Sequence, residues 1–69
     1  MVDLDHIKRQ ALVYQQGHSN VLYRIATDAE DENVLSVGEM QAAYDNGGQL
    51  TPEQEVRVKN WVQSQGVNI

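Results

Sequence analysis

The sequence predicts an all-α protein, a compact bundle of three to four short helices. Three observations carry that prediction. Apolar residues recur at three- and four-residue spacings over separate segments, the period of an amphipathic helix. Three of the four expected helix starts carry capping residues, Asp3, Ser36 and Thr51. Glycines follow the periodic segments at Gly17, Gly47–Gly48 and Gly66, where helices stop. Agreement of period, start and stop signals is expected of a chain with one folded state.

The first helix is expected over 4–16. Asp3 caps it and Asp5 adds negative charge to its first turn, where the helix dipole favours an acid. Leu4, Ile7, Ala11 and Tyr14 form one face, widened by Leu12 and Val13. Gly17 supplies the left-handed residue after its end.

The second segment admits two readings. Val21, Leu22, Ile25, Ala26 and Ala29 fit one helical face, with Ser19 as cap. Val21, Tyr23, Ile25 and Thr27 also alternate at period two and favour strands. In the strand reading a β-hairpin covers 21–37, with Val34–Val37 as the mate. The helix is preferred because Leu22, Ile25, Ala26 and Ala29 span two turns.

The third helix is expected over 37–46. Ser36 and Glu39 have the spacing of a capping box, and Leu35 and Met40 that of a hydrophobic staple. Val37, Met40, Ala43 and Tyr44 are assigned to its inner face, and Asp45-Asn46-Gly47-Gly48 stops it. The fourth helix is expected over 52–65. Thr51 caps, Pro52 takes the first helical position and Gln54 the capping-box site. Val58, Trp61 and Val62 face inward, with Val56 to the side. Gly66 ends the helix and lets Val67 pack back on Val62. Trp61, the sole tryptophan, is expected to anchor the core.

At 69 residues the chain is read as one domain, 1–69. A chain this short buries only about 60% of its unfolded surface, so it needs regular packing, a metal or a partner. Cysteine is absent, which removes disulfides, thiolate catalysis and cysteine-type zinc sites and fits a reducing cytosol. The acidic N-terminus lacks the pattern of a signal peptide. The longest apolar run, Ala11–Tyr14, is far short of the roughly 20 residues that span a bilayer. The expectation is a soluble, cytoplasmic protein.

The formal net charge is −5. That charge disfavours nucleic acid and anionic lipid surfaces and favours cations or basic protein surfaces. Helices 3 and 4, joined by a short glycine-containing turn, have the outline of a DNA-binding helix-turn-helix, but helix 4 opens Pro-Glu-Gln-Glu, which repels phosphate. His6 beside Asp3 and Asp5 is read as a helix-surface residue, and His18-Ser19 as a loop rather than a nucleophilic pair. No phosphate-cradling glycine loop is present. The chain is not expected to be an enzyme.

Five of the ten acidic residues, and none of the five basic ones, fall in Asp28–Glu39. Counted as a 12-residue calcium loop, Asp28, Glu30, Glu32, Ser36 and Glu39 occupy positions 1, 3, 5, 9 and 12. Leu35 holds the apolar eighth position. With its flanking apolar segments, 18–44 resembles a single degenerate EF-hand. The resemblance implies calcium ligation by those five residues. It departs from the family at Asn33, where the sixth position is ordinarily glycine, and at Glu30 and Glu32, which replace shorter Asp or Asn. No second loop follows to pair with it. The capping box and staple account for Leu35, Ser36 and Glu39 without a metal, leaving Asp28 to Glu32 as a solvated acidic linker.

The expected function is that of a small acidic protein, without enzymatic activity, that binds another protein as an accessory, inhibitor or assembly subunit, of a kind found among phage-type proteins. The expected contact residues are Asp28, Glu30, Asp31, Glu32 and Tyr23, with a basic protein surface or a second copy as partner and no cofactor. Tyr14 and Tyr44 are further aromatic candidates, though Tyr44 is assigned to the core. Calcium binding through the 28–39 loop is the alternative.

Overall fold

The computed structural model describes residues 3–18 and 20–69. Four α-helices follow in order: α1 (Leu4–Gln15), α2 (Val21–Asp28), α3 (Val37–Asp45) and α4 (Pro52–Ser64), with a 3₁₀ turn at Glu30–Glu32 between α2 and α3. The expected limits of helices 1, 3 and 4 agree to within one residue at each end.

α2 is the centre of the bundle and packs against each of the other three helices. It buries Val21, Leu22, Ile25 and Ala26, the helical-face set. The β-hairpin alternative over 21–37 is therefore not borne out. Its strand-forming residues divide: Val21 and Ile25 go inward, while Tyr23 is half-buried and Thr27 exposed. Thr27 meets its own backbone, its Oγ1 donating to the Tyr23 carbonyl at 2.9 Å, a bond a β-branched hydroxyl can make within a helix. Burial of Leu22 and Ala26 overrides strand propensity, because a strand would turn both to the opposite face. Asn20 precedes α2 without a capping side-chain bond, and the expected cap Ser19 lies outside the described residues.

Ile7 and Ala11 of α1, Leu35 before α3, Val58 and Val62 of α4, and Val67 complete the cluster around α2. The largest fully buried side chains are Ile7, Leu22, Ile25, Val58 and Val62. Trp61 is only partly buried and packs against this cluster from outside, so the expected tryptophan anchor is replaced by aliphatic residues. The broad face of α1 also narrows, since Leu4, Leu12 and Val13 are exposed.

The helix ends follow their signals. Asp3 accepts from the Asp5 and His6 amides at 3.0 and 3.4 Å. After α3 the Gly47 amide donates to Tyr44 at 3.1 Å and the Gly48 amide to Ala43 at 2.8 Å. Both glycines have φ near +80° (74° and 83°), which other residues reach only with strain. After α4 the Gly66 amide donates to Gln63 and the Val67 amide to Val62, and Val67 is buried as expected of this motif. Among the described residues no helix is long and apolar enough to cross a membrane.

Candidate functional site

Asp28 ends α2 and faces α1. Its Oδ2 lies 2.7 Å from His6 Nε2 and accepts from Gln10 Nε2 at 3.0 Å. His6 and Gln10 stand one turn apart on α1, so the two helices are tied at their ends by one carboxylate. Gln10 is 8% exposed, and its Oε1 is buried with no partner among the described residues. Asp28 is thus held toward α1 and does not join the acids that follow it.

Those acids stand on a braced turn. Ala29 is fully buried before them and Leu35 nearly so after them. Between these anchors the Glu32 amide donates to Ala29 at 2.9 Å and the Asn33 amide to Glu30 at 3.2 Å. Asn33 takes a left-handed φ of 56°, which asparagine adopts more readily than most residues. Glu30, Asp31 and Glu32 are all exposed on this turn.

Glu39 has other partners. Its Oε1 accepts from the Ser36 amide at 3.0 Å, while Ser36 Oγ accepts from the Glu39 amide at 3.2 Å, completing the capping box. Its Oε2 accepts from Gln54 Nε2 at 3.4 Å and pairs with the Arg57 guanidinium. Gln54 meanwhile accepts from the Thr51 amide at 3.0 Å in the capping box of α4. The two capping boxes are therefore joined through their third helical residues, which fixes the start of α3 against the start of α4. The Ser36 amide, followed by Arg57, lowers the Glu39 pKa from 4.5 to about 2. The five candidate calcium ligands thus divide among three settings: Asp28 on α1, Glu30 and Glu32 on the exposed turn, Ser36 and Glu39 in the capping box. Among the described residues no three His, Cys, Asp or Glu side chains come together as a metal-holding group.

The surface beside the acidic turn contains what the sequence reading missed. A furrow of about 330 Å³ lies between α2 and α3, lined by Tyr23, Thr27, Glu30, Val37, Met40 and Tyr44, with Gln41 at its side. A second hollow adjoins it at one end, sharing Glu30, Val37 and Met40 and lined further by Asp31, Asn33 and Leu35. A separate hollow adjoins the furrow's other end, sharing Tyr23 and Tyr44 and lined further by Asn20, Arg24 and Gly47–Gly48. Tyr23 and Met40 are half-buried in the furrow. Val37 is 88% exposed and Tyr44 68% exposed, a correction to the inner-face assignment of both. Only Ala43 of α3 is fully buried. α3 is short and packs chiefly on α2, which leaves the rest of its apolar side uncovered. The furrow brings together Tyr23 and Glu30, with Asp31 in the adjoining hollow, from the expected contact set. Asp28 is placed toward α1, and Tyr14 is half-buried under Lys59, whose Nζ lies 5.5 Å from the ring centre. Val37, Met40 and Tyr44 recur at helical spacing, so the sequence did contain this stripe. It did not say which neighbour, if any, would cover it.

Comparison with protein-family models, curated proteins and solved structures finds no match to this chain.

Proposed function

We propose that this chain is a small non-enzymatic binding module that acts by docking on another protein, as an accessory, inhibitor or assembly subunit. One observation supports this reading above the others. Val37 and Tyr44, large apolar side chains left largely in water, line the same furrow as the exposed Glu30. Aromatic residues and methionine are enriched at interface cores, with polar groups at the rim. Desolvated aromatic anchors supply most of the binding energy at such surfaces. The acidic turn selects a partner with a basic surface and speeds encounter by electrostatic attraction. A cytoplasmic setting accords with the absence of cysteine.

Affinity capture from the native host tests this reading, with wild type, Val37→Asp and Glu30→Lys as baits. Both substituted positions are exposed, so the melting temperatures should stay close to that of wild type. The expected result is a partner retained by the wild type and lost from both variants. A partner held equally by all three baits excludes this face as the binding surface.

A further inference from the structure

We propose that the α2–α3 furrow seats a two-turn amphipathic helix of a partner protein, with a cation at the end over Glu30 and a carboxylate at the end over Arg24. This rests on the protein-binding reading above and specifies the chemistry of the partner.

The charges at the two ends differ in sign. Glu30 lines the furrow where α2 has just ended, beside Val37 and Met40. Arg24, in the first turn of α2, lines the adjoining hollow that shares Tyr23 and Tyr44 with the furrow and includes Gly47–Gly48. Both are exposed, and neither forms an ion pair among the described residues. Between them Tyr23, Met40, Val37 and Tyr44 supply an apolar and aromatic lining, with Thr27 and Gln41 as its polar members. A segment that is basic along its whole length would meet Arg24 unfavourably. One that is acidic along its length would meet Glu30 and the acidic turn. A segment with one charge of each sign satisfies both ends and buries its apolar middle on Met40 and the tyrosines.

Spacing and mode of recognition point to a helix. Glu30 and Arg24 are six residues apart along α2 and its end, about 9 Å at helical rise. A partner helix spans that length in just under two turns, so its cation and carboxylate are about six residues apart. A peptide that binds by adding a strand needs a sheet edge, and the described residues contain no strand. A groove between two helices instead receives the apolar face of a third. The uncovered stripe Val37, Met40 and Tyr44 has the spacing that such a helix meets.

The test uses the whole chain, labelled with nitrogen-15, and three synthetic helical peptides of equal apolar content. The terminal charged positions of the peptides are Lys and Glu, Lys and Lys, or Glu and Glu. The expected result is that the mixed peptide binds tightest, by about fivefold at low salt, with the advantage shrinking as salt screens exposed charges. Amide shifts should centre on Tyr23, Val37, Met40 and Tyr44. A spin label at the lysine end should broaden the amides of 30–33, and one at the glutamate end those of 44–48. Arg24→Glu should invert the ranking in favour of the Lys and Lys peptide, and this exposed substitution should not impair folding. Equal binding of all three peptides in the furrow overturns the charge layout and leaves the protein-binding reading standing. No shift at the furrow from any peptide overturns the proposal, and the capture experiment decides the broader reading separately. Concentration-dependent shifts of the same amides without peptide would make a second copy the occupant, which also overturns it.

Discussion

Glu39 shows how one side chain can serve several local requirements at once. It closes the capping box of α3 with Ser36 and reaches Gln54 and Arg57 on α4. Each of these partners favours the charged form, which lowers the pKa from 4.5 to about 2. Its stabilising effect is therefore complete above the unfolded value and is lost as pH falls from about 4.5 toward 2. Glu39→Gln keeps an acceptor for the Ser36 amide but removes the titrating group. Urea denaturation of both proteins at pH 7 and at pH 3 should show a smaller acid-induced loss in the variant, and an equal loss would assign the acid limb to other groups. Core and surface positions separate just as clearly. Ile25 is fully buried and Tyr44 is 68% exposed. Ile25→Ala should cost about 2–5 kcal/mol, a large share of the stability of so small a domain. Tyr44→Ala should change stability by no more than about 0.5 kcal/mol. Thermal melts of the two variants check this contrast directly.

At the scale of elements, α2 is held on three sides and α3 chiefly on one. α2 packs on α1, α3 and α4 and is tied to α1 by Asp28. α3 is fixed at its start by the joined capping boxes and at its end by Gly47 and Gly48, while Val37 and Tyr44 stay in water. A rigid helix with an uncovered apolar stripe is a ready surface for a partner, since little ordering remains to be done on binding. The same anchoring bears on calcium. Ligation by the 28–39 loop would require Asp28 to leave Gln10 and Glu39 to leave Arg57 and Gln54. Millimolar calcium is accordingly expected to leave the melting temperature unchanged. A calcium-dependent rise that disappears in Glu39→Gln would instead support the calcium loop, because a ligand that binds only the native state raises its stability.

For the whole molecule, the Cα radius of gyration is 10.8 Å, close to the roughly 11 Å expected of a compact chain of this length. So small a body has little interior. Among the described residues the largest fully buried side chains are Ile7, Leu22, Ile25, Val58 and Val62, while Leu4, Leu12, Val13, Val37, Tyr44 and Val56 remain exposed. On the protein-binding proposal, the net charge of −5 should be felt in association. Attraction of a basic partner should weaken as ionic strength rises, mainly through a slower association rate. Surface plasmon resonance at low and high salt, with the partner recovered by capture, measures this. A rate independent of salt would remove the acidic turn from the encounter.

Much of the fold could be read from the sequence because its signals are local. Asp3, Ser36–Glu39 and Thr51–Gln54 cap helices through bonds to residues at most three positions away, and Gly47, Gly48 and Gly66 stop them through their own backbone preference. Those interactions need no distant partner, so helix positions followed to within about one residue of their limits. Whether 21–28 was helix or strand was not a local matter, since the propensities of Val21, Tyr23, Ile25 and Thr27 opposed the spacing of Leu22 and Ala26. The need to bury Leu22 and Ala26 in the common core decided it. The site divides in the same way. The acidic turn of Glu30, Asp31 and Glu32 was visible as a charge cluster, but the direction of Asp28 toward His6 and Gln10 depended on how α1 crosses α2. Val37 and Tyr44 had the periodicity of a buried face and are exposed. Periodicity fixes which side chains share a side of a helix, whereas only the arrangement of neighbouring helices determines whether that side meets protein or water.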